Sequence, residues 1–255
     1  MGDEENVHSR YFARDSSMPT FKGTWPGRVT IKSGWGRAHA RPWNDEIDRA
    51  SLRLERGTSN FLRECGWWLL ENASSDVLSV PLTGGQARPW RAAGFSVRRE
   101  LAILERDLSL HTPAPVIEPR EISIRRADEV LAVDGLAFDR EWRLNRLGLE
   151  DALTATSSRA LLGLEADGRL VGYAVVGSAM SMGYLQRVAV APDQGGRGLG
   201  RSLLRASMRW ARGKGAYTMF LNTDNAAASA LYRSEGFDEI PERLVLMGLT
   251  GERPT

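Results

Sequence analysis

A glycine-rich stretch in the second half of the chain carries the strongest chemical signal, and it lies between a predicted strand and a predicted helix. Its glycines and arginines are Gly195, Gly196, Arg197, Gly198, Gly200 and Arg201. The first turn of a helix leaves backbone N–H groups unpaired, and the helix dipole adds partial positive charge there. Glycines let an anion approach the backbone without a Cβ in the way. The pattern therefore predicts a phosphate cradle.

The pattern has four alternative interpretations: three kinds of phosphate-binding loop and a plain glycine-rich turn that binds nothing. The nucleotide P-loop motif G-x-x-x-x-G-K-S/T fits the spacing from Gly195 to Ser202, but Arg201 stands in place of its lysine. The dinucleotide motif G-x-G-x-x-G can begin at Gly196 and Gly198, but it meets Arg201 where its third glycine should be. Both motifs are disfavoured.

The third kind is the acetyl-CoA loop of the GCN5-related N-acetyltransferase (GNAT) superfamily, which this segment resembles. In that family a strand ending V-x-P leads to Q/R-x-x-G-x-G/A and a helix, and a later helix carries N-x-x-A-x-x-L-Y-x-x-x-G-F. Residues 190–200 follow the first motif, and residues 225–237, NAAASALYRSEGF, match every fixed position of the second. One departure is Gly195 at the Gln/Arg position, with Gln194 one residue early. The resemblance covers about residues 120–249.

The resemblance implies transfer of an acetyl group from acetyl-CoA, the cofactor, directly to a primary amine of a small molecule or a protein. It implies that Tyr232 gives a proton to the CoA sulfur, unless it only packs the helix, and that Asn225 contacts CoA or caps the helix. A main-chain amide near Val188 or Val190 would polarise the thioester carbonyl. The implied cofactor-binding residues are Val188, Ala189, Val190, Gly195, Gly196, Arg197, Gly198, Leu199, Gly200, Arg201, Ser202, Asn225 and Tyr232.

The general base is not identified, because the two central strands of such a fold, residues 184–188 and 219–223, contain no carboxylate. The open candidates are Asp139, Glu141 or Asp224, each also consistent with a solvated surface group, or a water chain relayed by Gln186 or Asn222. The acceptor pocket is expected between residues 138–149 and a loop at 238–243. Its candidate residues are Asp139, Glu141, Trp142, Gln186 and Asn222, with core packing as the alternative for Trp142.

The elements that must position these residues alternate between strand and helix patterns. Helices are predicted at residues 128–138, 147–156, 199–213 and 226–235, and strands at 122–125, 160–165, 170–176, 184–190, 217–223 and 243–249. The predicted fold class is α/β. A mixed, mostly antiparallel sheet flanked by helices, the GNAT fold, forms the C-terminal half, and a degenerate partial GNAT-like α/β domain precedes it.

The first half contains a weaker echo of the second. Residues 90–95, WRAAGF, parallel 232–237, YRSEGF, and the flanking segments correspond as well. Tandem members of the superfamily, with a mycothiol-synthase-like arrangement, often have a degenerate N-terminal copy. The first copy lacks the glycine loop, so it is expected to bind no CoA and to wall the acceptor site or mediate dimerisation.

The predicted domains are a flexible N-terminus at 1–20, a degenerate GNAT-like domain at 21–108, a proline-containing linker at 109–121, a catalytic domain at 122–249 and a tail at 250–255. Residues 49–57, RASLRLERG, are expected to form a charged helix face. Six tryptophans are expected in a packed interior or interface: Trp25, Trp35, Trp43, Trp67, Trp68 and Trp90.

Composition narrows the class of protein. The chain has 255 residues, a formal net charge of +2 and 42% hydrophobic residues, as in soluble globular proteins. The polar, acidic start, the lack of a long apolar run and the single cysteine, Cys65, lead us to expect a cytoplasmic bacterial enzyme with no membrane contact. We expect Cys65 in the core, no metal and no nucleic-acid partner, and a monomer or a homodimer. A non-catalytic acyl-CoA-binding or regulatory protein is the alternative function.

Overall fold

The computed structural model describes residues 19–251, and within them one sheet of twelve strands is covered by six α-helices. The strands are β1 Thr20–Lys22, β2 Val29–Ser33, β3 Gly36–Pro42, β4 Ala50–Arg56, β5 Asp76–Ser79, β6 Ser96–Asp107, β7 Arg120–Glu121, β8 Ser158–Ala166, β9 Arg169–Ala179, β10 Met182–Val190, β11 Thr218–Thr223 and β12 Asp238–Thr250. The helices are α1 Ser59–Asn72, α2 Gly84–Ala92, α3 Ala127–Ala137, α4 Arg146–Thr154, α5 Leu199–Gly213 and α6 Ala226–Ser234. The predicted α/β fold class is confirmed.

The strand order is β1-β2-β3-β4-β5-β12-β6-β11-β10-β9-β8-β7, so the last strand of each half pairs with the other half. Strand β12 lies antiparallel to β5, with Gly248 opposite Leu78. Strand β6 lies antiparallel to β11, with Leu104 opposite Leu221. The two exchanged strands, β6 and β12, also pair with each other at the centre of the sheet.

The element boundaries repeat along the chain. Helix α2 begins at Gly84 and α6 begins at Ala226, 142 residues later; β6 begins at Ser96 and β12 at Asp238, again 142 residues later. This spacing supports the predicted repeat. The domain boundaries stay a prediction, because one continuous sheet runs through both halves. Within the predicted linker, residues 120–121 form the edge strand β7.

The pairing of β10 with β11 opens the sheet. These parallel strands pair only from Met182 opposite Thr218 to Tyr184 opposite Phe220, and then separate. Strand β10 also carries a bulge: Leu185 faces Val176 but Arg187 faces Val175, so Gln186 is the extra residue. The separation leaves a gap in the sheet.

Three buried apolar clusters stabilise the two halves. One packs α1 and α2 on the sheet, and it includes Val245, Met247 and Leu249 from β12. The second lies beneath α5, and the third lies beneath α3 and α4. Cys65 is fully buried, which confirms its predicted place in the core. Strand β12 contributes to the first cluster, and Leu104 of β6 contributes to the second. The core of each half is therefore completed by a strand from the other half.

Several local predictions are wrong. Residues 50–56 form strand β4, because β3 and β5 pair with its two edges. Residues 122–125 lie beyond strand β7 and lead into a short 3-10 turn at Ile124–Arg126. Residues 238–243 begin strand β12 instead of forming a loop. Trp35 is 61% exposed, although Trp67 and Trp90 are buried as expected.

The predicted N-terminal segment and C-terminal tail fall mostly outside the described residues; Thr20 begins β1 and Thr250 ends β12. Among the helices of residues 19–251, none combines the length and the apolar character that crossing a membrane requires.

Candidate functional site

A cleft of about 630 Å³ lies where β10 and β11 separate, and it is called the central cleft below. Its walls come from β10, from β11 and the start of α6, from the turn after α3, and from the first half of the chain. Of the predicted cofactor-binding residues, those that line it are Val188, Ala189, Val190, Gly200, Asn225 and Tyr232. The cleft is of the size that small-molecule ligands occupy.

The N-terminus of α5 borders this cleft through Gly200. The first hydrogen bond of the helix runs from Ser202 N to Gly198 O, so the amides of residues 199–201 precede it and have no partner within the helix. Gly196 and Gly198 both have φ near +75°, and a Cβ at either position would meet no atom within 4 Å. The glycines therefore set the backbone conformation and leave the outside of the loop open, as a phosphate cradle requires.

The two arginines of this loop differ in whether a carboxylate pairs with them. Arg201 donates to Glu235 Oε1 at 2.8 Å, and Arg205 holds the other oxygen of Glu235 at 2.7 Å. Glu235 is almost fully buried, and its hydrogen bond raises the pKa of Arg205. Arg197 is exposed and donates to Gln194 Oε1 at 2.9 Å. Arg197 therefore remains the cation at the loop without a carboxylate partner among residues 19–251.

Ser202 lies away from the cleft. Its hydroxyl accepts a hydrogen bond from Ile117 N at 3.3 Å beneath the linker, and its own amide bonds to Gly198 O. Its side chain is 1% exposed. The structure thus leaves this predicted cofactor-binding residue without a polar group directed at the cleft.

Strand β10 presents main-chain groups to the gap. Ala191 N donates to Val171 O at 2.8 Å, and these residues face each other across the β9–β10 pair. Because the direction of main-chain groups alternates along a strand, Ala189 bonds to β9 while Val188 and Val190 point the other way. On that side β11 has already separated from β10. The amides of Val188 and Val190 therefore have no partner on β11 and face the gap.

Tyr232, on α6, reaches the cleft from a buried position. It is 6% exposed, and its ring lies 6.0 Å from the Phe237 ring. Burial raises the pKa of Tyr232 to about 12, although the positive charge of Arg187 opposes this. Its hydroxyl has no hydrogen-bond partner among residues 19–251.

Asn225 caps α6 by accepting from Ala227 N and Ala228 N at 2.9 and 3.1 Å. The capping role of Asn225 is thus present alongside its place in the cleft wall.

Arg99, from exchanged strand β6, joins two of the candidate bases. Its guanidinium donates to Glu141 Oε2 and to Asp224 Oδ2, both at 3.0 Å, and it lies 5.1 Å from the Trp142 ring. Glu141 also accepts from Arg49 at 2.9 Å and does not line the central cleft. Both carboxylates are therefore held in ion pairs with arginine.

The remaining acceptor-site candidates all line the cleft: Asp139, Trp142, Gln186 and Asn222. Asp139 is exposed, and its carboxylate has no ion-pair or hydrogen-bond partner among the described residues. Trp142 packs edge-on against Trp43 at 5.9 Å, so its packing and its place in the cleft coexist. Residues 238–243, expected as the far wall, do not line the cleft, and Arg99, Leu101 and Pro81 of the first half do.

A buried ion pair fixes the turn that carries Asp139 and Trp142. Asp134 is 0% exposed and accepts from Arg187 at 2.8 and 3.1 Å, from Tyr173 Oη at 2.6 Å, and from Leu144 N at 2.7 Å. Arg187 also donates to Trp142 O at 2.6 Å. Burial and the charge of Asp134 raise the pKa of Tyr173 well above its usual value. Sequence reasoning missed this cluster, since its members come from three separate elements.

No group of three or more His, Cys, Asp and Glu side chains within residues 19–251 is placed to hold a metal ion. The features that fit a ligand are the cradle at α5, the free edge of β10 and the hydroxyl of Tyr232. They lie along one cleft, and together they suit a long molecule with a phosphate at one end and a carbonyl farther in.

Comparison with known proteins agrees with this arrangement. Residues 129–237 match the model of the Acetyltransferase (GNAT) family. The chain is 42% identical over 83 residues to the N-alpha-acetyltransferase RimI of Mycobacterium tuberculosis, covering 31% of this chain and 52% of that protein. It is 31% identical over 184 residues to a mycothiol acetyltransferase of Streptomyces coelicolor, covering 65% of this chain and 59% of the relative.

Solved structures share the fold at low sequence identity. A tandem GNAT protein from the clavulanic acid biosynthesis pathway has a TM-score of 0.59 at 15% identity, over 89% of this chain and 83% of that one. A GCN5-related N-acetyltransferase from Kribbella flavida also has a TM-score of 0.59, at 14% identity, over 88% and 90%. The chain spans 52%, 39%, 33% and 59% of the lengths of four curated relatives that it matches. Residues 129–237 are thus similar to the Acetyltransferase (GNAT) family, and the chain shares its fold with GNAT proteins of known structure.

Proposed function

We propose that this protein is an acetyl-CoA-dependent N-acetyltransferase that moves the acetyl group directly to a primary amine of a small molecule or a protein. The observation that carries the proposal is the joint placement of the α5 cradle, the free main-chain edge at Val188 and Val190, and the buried hydroxyl of Tyr232 along one cleft. Bound acetyl-CoA would supply the acyl thioester.

Each part of the cleft has a distinct task in this proposal. The amides of residues 199–201 bind the pyrophosphate, with support from Arg197. The N–H groups of Val188 and Val190 donate hydrogen bonds to an amide carbonyl oxygen of the cofactor and to the thioester carbonyl oxygen. The second of these hydrogen bonds polarises the thioester carbonyl. Gly195 at the Gln/Arg position removes one side-chain contact, so we expect weaker CoA binding than with the family residue and not its loss.

The proton transfers are assigned to two side chains. Asp139 is the cleft carboxylate that is not held by an arginine, so it is the proposed base that accepts a proton from the incoming ammonium group. Tyr232 keeps its proton at neutral pH because its pKa is raised to about 12, and it donates that proton to the departing sulfur. Gln186 and Asn222 lie close enough to the cleft to order a water between amine and base.

The curated relatives suggest the acceptors to test. One relative is named a ribosomal protein bS18-alanine N-acetyltransferase, and another is named a mycothiol acetyltransferase. The test uses the purified protein, acetyl-CoA and a panel of small amines and peptides with free N-termini, and it measures release of CoA thiol. The sole cysteine of the chain is buried and contributes no background. Amine-dependent CoA release supports the proposal.

A non-catalytic acyl-CoA-binding protein is the second candidate. Two observations favour it: Gly195 replaces the family residue, and Glu141 and Asp224 are both tied to Arg99. Tight binding of acetyl-CoA without amine-dependent release of CoA across the whole panel would favour this candidate over the enzyme.

A further inference from the structure

A second cavity, of about 500 Å³, adjoins the central cleft and is called the side pocket below. The two cavities share Arg99 and Trp142 in their walls. The side pocket lies at the seam of the strand exchange, where the starts of β5 and β6 meet the end of β12. An acceptor whose amine lies in the central cleft therefore has the side pocket beside it.

The charged residues of the side pocket are unevenly paired. Its wall contains three arginines and two carboxylates: Arg49, Arg98, Arg99, Asp76 and Glu141. Arg49 is held by Asp76 at 2.6 Å and by Glu141 at 2.9 Å. Arg99 is held by Glu141 and by Asp224, both at 3.0 Å. These two arginines have carboxylate partners, and Arg98 has none among the described residues.

Arg98 is the guanidinium of the side pocket without a carboxylate within 4.0 Å among the described residues. It donates to the hydroxyl of Thr250 at 2.8 Å, which orients it but does not neutralise it. Its side chain lies flat on Gly248: a Cβ at that position would be 2.4 Å from Arg98 Cγ and 2.7 Å from Arg98 Nε. The glycine thus keeps room for Arg98 against the floor of the side pocket.

We propose that the side pocket binds an acidic group of the acceptor, a carboxylate or a phosphate, through Arg98. The acceptor class is then a primary amine that carries an acid on the same molecule. A guanidinium prefers the planar, bidentate oxygens of such groups, and a charge-assisted hydrogen bond is about twice as strong as a neutral one. This inference rests on the proposed function for the place of the amine.

The test compares matched probes that have the same amine and alkyl chain and differ in the group at the other end, which is acidic in one probe and neutral in its partner. The pairs are 6-aminohexanoate with 6-aminohexanamide, and 6-aminohexyl phosphate with 6-aminohexanol. Affinities are measured by NMR chemical-shift titration of the full chain, with and without saturating CoA. We expect at least one acidic probe to bind about tenfold more tightly than its neutral partner, the effect of one charge-assisted hydrogen bond. The pair that shows the preference identifies the acid.

Two variants and one control assign the preference to Arg98. Arg98→Gln should abolish it, and Gly248→Ala should weaken it with Arg98 still present, because the added methyl displaces the arginine. Arg209→Gln removes the same charge on the exposed face of α5 and should retain the preference. Equal affinities within both pairs in the wild type, or an unchanged preference in Arg98→Gln, would overturn the proposal.

A separate titration distinguishes this inference from the proposed function. Acetyl-CoA should bind the wild type, Arg98→Gln and Gly248→Ala equally, since neither residue lines the central cleft. If acetyl-CoA fails to bind the wild type, the proposed function is contradicted. The acid preference, measured without CoA, still decides the role of the side pocket.

Discussion

Trp90 and Tyr232 occupy corresponding positions of the repeat, 142 residues apart, each near the end of a helix that precedes an exchanged strand. Trp90 is 1% exposed and packs edge-on against Phe95, with ring centroids 4.9 Å apart. Tyr232 packs against Phe237 in a tilted arrangement, with ring centroids 6.0 Å apart, and it lines the central cleft. The same position thus has an indole in the first half and a phenol hydroxyl in the second.

Tyr232→Phe should lower kcat by about 10²-fold or more, because a positioned general acid contributes on the order of 10²–10⁴. The Kd for acetyl-CoA should stay within about twofold, since the ring and its packing remain. The hydroxyl has no partner to lose, so the free energy of unfolding should change by about 1 kcal/mol or less. Steady-state kinetics and calorimetry check both parts, and an unchanged kcat would remove Tyr232 from the chemistry.

The stability of the protein should fall in strong alkali. Folding raises the pKa of Tyr232 from its usual 10.0 to about 12, and it also raises the pKa of Tyr173. The unfolded chain therefore releases these protons first. The stabilisation is complete below about pH 10 and is lost as the pH rises through 12. Urea unfolding at pH 8 to 11.5 measures this slope, and Tyr232→Phe should make it shallower; an identical slope in the variant contradicts the assignment.

Asp134→Ala should destabilise the protein by about 3–5 kcal/mol, because it leaves the partly buried guanidinium of Arg187 without its partner. The control is Glu129→Ala, which breaks an exposed pair with Arg126 and should change the free energy of unfolding much less. Urea denaturation measures both. A double variant, Asp134→Leu with Arg187→Met, should recover part of the loss, and equal costs for the two single variants would contradict the importance of the buried pair.

Asp139→Asn should lower kcat/KM for the amine by about 10²-fold and leave acetyl-CoA binding intact, since it removes the proposed base and no CoA contact. Glu141→Gln is the matched comparison, because Glu141 pairs with Arg49 and Arg99 outside the central cleft. Glu141→Gln should lower the free energy of unfolding and leave the rate of proton transfer largely unchanged. A full rate in Asp139→Asn would leave the base to a water held by Gln186 or Asn222.

The sequence pattern predicts the second half well because its signals are local. The amphipathic spacing and the glycine loop place a helix at 199–213, and α5 has those bounds. The turn at Asp167 and Gly168, both with positive φ, joins β8 to β9 as expected. Local signals fail for residues 50–56, where pairing with two neighbouring strands overrides a helical charge pattern.

The acceptor side of the site depends on contacts that no local pattern encodes. Arg99 enters the cleft because β6 crosses into the other half of the sheet, which depends on pairings more than 100 residues apart in sequence. The internal repeat is the available sequence signal. It shows that each half ends in a similar strand, but it does not show which half of the sheet each of these strands joins. For the same reason Ser202, correctly placed on α5, could not be predicted to lie beneath the linker.

Calorimetric titration of acetyl-CoA into the wild type, Gly198→Glu and Gly215→Glu tests the central claim most directly. Both glycines have positive φ, at opposite ends of α5, so both variants bear a similar backbone strain of about 1 kcal/mol. Only Gly198→Glu places a negative charge in the proposed phosphate cradle. The account predicts micromolar binding to the wild type and to Gly215→Glu, and a loss of at least about 100-fold in Gly198→Glu. Equal binding by all three proteins, or none by the wild type, would contradict it.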